Sequence, residues 1–133
     1  MTGLKLACVT LVVEDYDEAI TWFREKLGFA LVEDANLGGG KRWVVVAPSG
    51  DGQSGLLLAK AEGETQRQAI GHAAGGRVAF FLHTDDFASD HARMLANGIK
   101  FREPPRHEAY GTVAVFEDLY GNAWDLIEPA PRG

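Results

Sequence analysis

One carboxylate stands in the middle of an apolar run near the end of this chain. Asp125 lies between Trp124 and Leu126 in a segment, residues 123–127, that predicts a β-strand. Side chains alternate along a strand, so Asp125 is expected on the face opposite Trp124 and Leu126. A carboxylate in an apolar core is costly unless it is paired. The pattern therefore predicts that Asp125 faces solvent or a polar cavity.

The strand of Asp125 is the second arm of a predicted hairpin. Residues 118–122 (Asp-Leu-Tyr-Gly-Asn) predict a tight turn, because Asp, Gly and Asn favour local side-chain bonds and left-handed backbone. Residues 113–116 (Val-Ala-Val-Phe) predict the antiparallel partner strand.

Other residues with metal-binding or nucleophilic chemistry are scattered. None of the histidines has the paired spacing of a metal site; they are His72, His83, His91 and His107. His83 with Asp85 and Asp86 could form a cluster, but Asp85 is better explained as a helix cap. Cys8, the single cysteine, excludes an intramolecular disulfide and is compatible with a reducing compartment.

Composition restricts the class of protein. The chain has 133 residues, 46% of them hydrophobic and 24% charged, which predicts one soluble domain over residues 1–133. The net charge of -6, with no basic stripe, argues against a nucleic-acid partner and favours neutral or cationic ligands. Residues 1–6 lack the pattern of a signal peptide, and no apolar run could span a membrane, so we expect a cytoplasmic protein.

The order of predicted elements repeats. Asp15 begins and Gly28 ends the first predicted helix, and Asp85 and Gly98 stand 70 positions later in each case. The strands predicted in the first half are residues 6–13, 29–33, 42–47 and 55–59. Those of the second half are residues 77–82 and 99–102, followed by a break at 103–106 and the hairpin described above. A helical turn is predicted over residues 65–70.

Each half therefore has the order βαβββ, which predicts an α+β fold of two tandem modules. The modules span about residues 4–60 and 77–128, with residues 61–76 as a connector. One such half cannot bury both faces of its sheet. Two halves, from one chain or two, are expected to pair their sheets around a half-barrel-like cavity.

The sequence resembles the vicinal oxygen chelate superfamily, which includes glyoxalase I, bleomycin-resistance proteins and extradiol dioxygenases. The resemblance rests on Val9–Asp15 leading into Ala19–Phe23 and Leu27–Phe29, and on the turn at 118–122 continuing to Glu128. It implies the glyoxalase/dioxygenase fold and a homodimer. It does not specify a reaction, because the superfamily includes lyases, dioxygenases and non-catalytic drug binders.

Enzymes of this superfamily hold a divalent metal with ligands from the first and last strands of both modules. The resemblance places these ligand positions at Cys8, at Leu58 give or take one residue, at Arg77 and at Asp125. Leu58 has no donor atom and Arg77 is a permanent cation. We therefore predict that the metal is lost and that the protein has no cofactor.

The same mapping implies that Arg77 and Asp125 point inward and pair, either as a polar plug or as ligand-binding groups. Aromatic side chains at Trp43 and Tyr110 suit stacking on a flat ligand, although such residues more often belong to the core. The predicted ligand-binding residues are Arg77, Asp125, Trp43, His83, Tyr110 and Cys8, with no metal ligand among them.

Three functions remain open. The first hypothesis is a metal-independent protein of the glyoxalase and bleomycin-resistance type that binds a small molecule. The alternative is an enzyme: a metal-dependent lyase or dioxygenase with an atypical site, or a metal-free catalyst with Asp125 or His83 as base. The third is an interaction module whose cavity is filled by side chains.

Overall fold

The computed structural model describes residues 3–131, and the chain divides into two units between Ile70 and Gly71. Both units have the predicted order βαβββ, and the predicted α+β fold class is confirmed. The signal-peptide prediction falls partly on Met1 and Thr2, outside the described residues. Within residues 3–131, no helix is long and apolar enough to cross a membrane.

The first unit contains a four-stranded sheet in the order β1-β4-β3-β2, in which β1 and β4 are parallel. Its strands are β1 Cys8–Val13, β2 Ala30–Gly38, β3 Lys41–Ala47 and β4 Gly55–Lys60. Helix α1 (Tyr16–Thr21) packs against β3 and β4, and α2 (Gly63–Ala69) lies against β1. The fully buried side chains of this unit include Leu11, Val13, Phe23, Val44, Val46 and Leu58.

The second unit repeats the arrangement with the order β5-β8-β7-β6. Its elements are β5 Val78–His83, α3 Phe87–Ala96, β6 Arg106–Glu108, β7 Gly111–Glu117 and β8 Ala123–Pro129. Helix α3 packs on β8, and Phe116, Trp124, Leu126 and Met94 are buried in this unit. The predicted hairpin of β7 and β8 is confirmed, with Val115 opposite Asp125.

The two units differ by one residue in their helices. Asp15 caps α1 by accepting a hydrogen bond from the Glu18 N–H at 2.9 Å, and the helix continues as a π-helix, Trp22–Leu27, up to Gly28. In the second unit the cap is Asp86, not the predicted Asp85, and the helix ends before Gly98. A π turn accommodates one extra residue, which explains why the caps are 71 positions apart and the glycines 70.

Two predicted strands differ from the structure: residues 29–33 belong to a longer strand, and residues 99–102 form no strand. Strand β2 extends to Gly38, because bulges at Leu31/Glu33 and Asn36/Gly38 let it keep pairing with β3. Residues 99–102 form no strand and make only the isolated bridge Phe101–Phe116. Residues 104 and 105 are both proline and have no N–H to donate, so pairing resumes only at Arg106, which had been predicted as part of a break.

Candidate functional site

Each sheet has one face covered by a helix and one face without a helix, which we call the open face. In the first unit the helix-covered face carries Leu11 and Leu58, which form a register pair. Alternation then assigns Cys8 and Leu57 to the open face. The predicted ligand position at Leu58 therefore needs the one-residue correction, to Leu57.

The open face of the first unit has a cavity of about 180 Å³. Its lining includes Cys8 on β1, Glu33 on β2, and Trp43 and Val45 on β3, with Lys5 at the side. Glu33 and Val45 are register partners, so these strands bring their side chains together directly. Trp43 is 39% exposed, so its aromatic side chain is not part of the buried core. Cys8 is half-buried.

The open face of the second unit carries Asp125. Its register partners are Phe81 on β5 and Val115 on β7, and Phe81 is 64% exposed. The Oδ1 atom of Asp125 is buried and has no hydrogen-bond partner anywhere in residues 3–131, where it is the single side-chain atom in that state. Buried polar atoms in native structures nearly always have a partner, so this oxygen requires an explanation.

Two charged residues act on Asp125 from the β6 side. Burial raises the pKa of Asp125 above its ordinary value, the positive charge of Arg106 lowers it, and the negative charge of Glu103 raises it. Arg106 and Glu103 are themselves an ion pair, with Nε to Oε2 at 2.9 Å. Neither residue was predicted as part of a site. Arg106 is the register partner of Val113, and alternation along β7 assigns Arg106 to the face of Asp125. The strand was predicted at 99–102 and a break at 103–106, so this position of Arg106 was not predicted.

The predicted pair of Arg77 and Asp125 is not formed. Val78 is the register partner of Ala123, so Arg77 lies beyond that pair and about 10 Å along the sheet from Asp125, counting three residues of strand. No ion pair of Arg77 occurs in the part of the chain that the structure describes. Arg77 is exposed and lines a different cavity with Arg102.

The other predicted residues lie on different elements of the two units. His83 is the exposed last residue of β5, paired in register with Ile127. Tyr110 is 54% exposed in the turn between β6 and β7. Trp43 and Cys8 share the cavity of the first unit, and Asp125 belongs to the second.

The donor atoms at the superfamily's ligand positions do not fit a metal. Cys8 lies seven residues before the cap Asp15, and the residue seven before the corrected cap Asp86 is Ala79, not Arg77. Leu57 and Ala79 carry no donor, which leaves only Cys8 and Asp125 where a catalytic metal needs about three protein ligands. Within residues 3–131, no three His, Cys, Asp or Glu side chains are grouped as a metal site would require.

Comparison with known proteins decides the family. Residues 5–126 match the Glyoxalase/Bleomycin resistance protein/Dioxygenase superfamily. The chain belongs to this superfamily. An uncharacterized protein of Shewanella frigidimarina is 55% identical to this chain over 121 residues, which cover 90% of each of the two proteins.

Solved structures agree with that assignment. The crystal structure of UcmS2 is 30% identical, with a TM-score of 0.82, and the match covers 96% of this chain and 99% of that one. TnmS3, an antibiotic binding protein from Streptomyces sp. CB03234, is 27% identical with a TM-score of 0.75, over 98% and 99% of the two chains. The fold and the superfamily are therefore established, whereas the superfamily contains several kinds of activity.

Proposed function

We propose that this protein binds a small organic molecule at the open faces of its sheets and does so without the superfamily's metal. The observation that carries the proposal is the buried Oδ1 atom of Asp125, which has no partner among residues 3–131. A ligand N–H or O–H group that donates to this oxygen would remove the cost of leaving it unpaired.

The surroundings of Asp125 indicate the chemistry of the ligand. Phe81 beside it offers an exposed aromatic ring, and Val115 on the other side offers apolar surface. A carboxylate flanked by apolar groups is suited to a flat molecule with an amine or amide donor. The net charge of -6 also favours a cationic molecule over an anionic one.

Similar proteins support this class of function. TnmS3 is an antibiotic binding protein, and it is similar to this chain over nearly the full length of both. The cavity of the first unit, with Trp43 partly exposed, provides a second surface that could contact an aromatic compound. Binding without turnover requires neither the missing metal donors nor a nucleophile.

A fragment screen tests the proposal directly. Amine-bearing and carboxylate-bearing aromatic fragments, together with metal-free bleomycin, would be titrated into ¹⁵N-labelled protein. We expect the amine-bearing compounds to shift the amide signals around Phe81 and Asp125. The variant Asp125→Leu should weaken that binding about tenfold or more, because hydrogen bonds to charged groups contribute about 1.5–3 kcal/mol.

The matched control is Asp51→Leu, which removes the same charge from an exposed turn and should leave fragment affinity unchanged. Fragments that avoid both open faces, or that bind Asp125→Leu as tightly as the parent protein, would contradict the proposal.

Elemental analysis tests the metal-free part of the proposal. After incubation with zinc, nickel, manganese or iron and then dialysis, we expect no metal to remain at one equivalent per chain. Retention of a stoichiometric metal that is lost on Cys8→Ala or Asp125→Ala would show that these residues are ligands, and it would favour a metal-dependent lyase or dioxygenase instead.

A further inference from the structure

The second unit has another cavity, of about 220 Å³, at the end of the sheet where β8 begins. Its lining comprises residues 71–74, 76 and 77, together with Arg102 and residues 121–123. We call the segment from Gly71 to Arg77 the glycine loop. The volume is below the roughly 300–1,000 Å³ of pockets for drug-sized ligands, so it suits one chemical group and not a whole large molecule.

The glycine loop is held firmly against the turn at residues 118–122. The Ala73 N–H donates to Oδ1 of Asn122 at 3.0 Å, and Asn122 is only 4% exposed. Gly71 approaches the Tyr120 carbonyl so closely that an added Cβ would lie 2.5 Å from its oxygen. The loop is thus hydrogen-bonded to the turn at Ala73 and packed closely against it at Gly71.

Backbone donors of this loop are available. The Gly75 N–H bonds to the His72 carbonyl and the Arg77 N–H bonds to the Ala74 carbonyl. In contrast, no acceptor within residues 3–131 is bonded to the N–H of Ala74 or of Gly76. These two donors lie on a loop that lines the cavity.

The cavity lining is positively charged in a chain whose net charge is -6. Arg77 and Arg102 line it, and no carboxylate of the described residues does. Arg102 is fixed by two contacts, from Nε to Glu117 at 2.9 Å and from Nη2 to the Gly121 carbonyl at 3.1 Å. Its ion-pair partner Glu117 is shared with Lys100 at 3.5 Å, so the group of three still carries one positive charge.

We infer that this cavity binds the phosphate group of a small molecule, or free phosphate, between Arg77, Arg102 and the N–H groups of the glycine loop. Two guanidinium groups on different segments, with loop residues that carry free N–H donors lining the same cavity, suit a doubly charged anion with oxygens on several sides. A planar carboxylate would be satisfied by one guanidinium in a bidentate pair. The inference is independent of the function proposed for Asp125.

Amide NMR titration of the full-length protein with inorganic phosphate at constant ionic strength tests this inference. We expect saturable shifts in the amide signals of the glycine loop, Arg102 and Gly121. Arg77→Glu should weaken phosphate binding about tenfold or more, because it replaces an attractive charge by a repulsive one. Arg77 is exposed and outside the strands, and unchanged amide spectra elsewhere would show that the variant is folded.

Three comparisons make the result decisive. Arg67→Glu makes the same charge change on α2, where the arginine side chain is 59% exposed, and should leave phosphate affinity unchanged. Asp125→Leu should also leave it unchanged, which separates this site from the fragment site. Phenyl phosphate binding more tightly than inorganic phosphate would show that the group is carried on an organic molecule, and the reverse order would indicate free phosphate.

The inference is overturned by shifts that do not saturate, by acetate binding as tightly as phosphate, or by Arg67→Glu weakening binding as much as Arg77→Glu does.

Discussion

Two carboxylates of the same hairpin, seven positions apart, have opposite environments. Asp118 is 6% exposed and accepts hydrogen bonds from the backbone N–H groups of Tyr120 and Asn122, from the Asn122 side chain and from the indole of Trp124. Asp125 has a buried oxygen with no partner in the described chain. Asp118 is a buried acid that organises the turn, whereas Asp125 is a half-buried acid with one buried oxygen that no group of the described chain bonds.

The contrast teaches how such a fold separates stability from binding. The bonds of Asp118 all lie within residues 118–124, so the turn is held by its own sequence and orients β8. Asp125 is placed by that strand but adds no bond to it. A polar side chain that lowers stability because it has no internal hydrogen-bond partner is a candidate for binding.

The largest effect is expected at Asp118. Asp118→Ala leaves several buried donors without an acceptor, and we expect the free energy of unfolding to fall by about 3 kcal/mol or more. Urea denaturation would measure the change, with Asp51→Ala as the exposed control. A loss below about 1 kcal/mol would mean that water or the neighbouring carbonyls replace the carboxylate, and the contrast with Asp125 would fail.

At Asp125 we expect the opposite sign and a smaller effect. Asp125→Asn removes the charge of a half-buried carboxylate whose buried Oδ1 lacks a hydrogen-bond partner, and it should raise the free energy of unfolding by about 1 kcal/mol at pH 7. Burial raises the pKa of Asp125 in the folded state, so folding is favoured while the acid is protonated and that benefit is lost as pH rises through the folded pKa.

The gain from Asp125→Asn should therefore be full above the folded pKa of Asp125 and vanish below about pH 4, the ordinary pKa of an unfolded aspartate. Urea denaturation of both proteins from pH 3 to pH 8 would measure it. A gain that is independent of pH would mean that the charge of Asp125 has no energetic cost.

The sequence was sufficient to predict the fold and the orientation of Asp125, because both rest on local signals. Alternation places Asp125 opposite the buried Trp124, and the structure has it there. The glycine at position 28 ends the first helix with φ of 83°, as its type indicates. The resemblance to the superfamily is confirmed over residues 5–126.

The sequence was not sufficient to place Arg77. The resemblance placed the second-module ligand position at Arg77, the first residue of the predicted strand 77–82. The cap Asp86 lies 71 residues after the cap Asp15, and this spacing makes Ala79 the counterpart of Cys8. The charged neighbours of Asp125 were not predicted either. Pro104 and Pro105 indicated a break in the chain, so the short strand that begins at Arg106 was missed.

The smallest expected effect concerns the two charges that act on Asp125. Arg106→Leu removes a positive charge that lowers the pKa of Asp125, so that pKa should rise further. Glu103→Gln removes a negative charge that raises the pKa and should lower it, while keeping an acceptor for the Val115 N–H that Glu103 binds at 3.2 Å. The side-chain carboxyl ¹³C signal of Asp125, followed over pH, would measure both shifts. Shifts of the same sign in the two variants would show that the substitutions act by changing the burial of Asp125, since only direct electrostatics requires opposite directions.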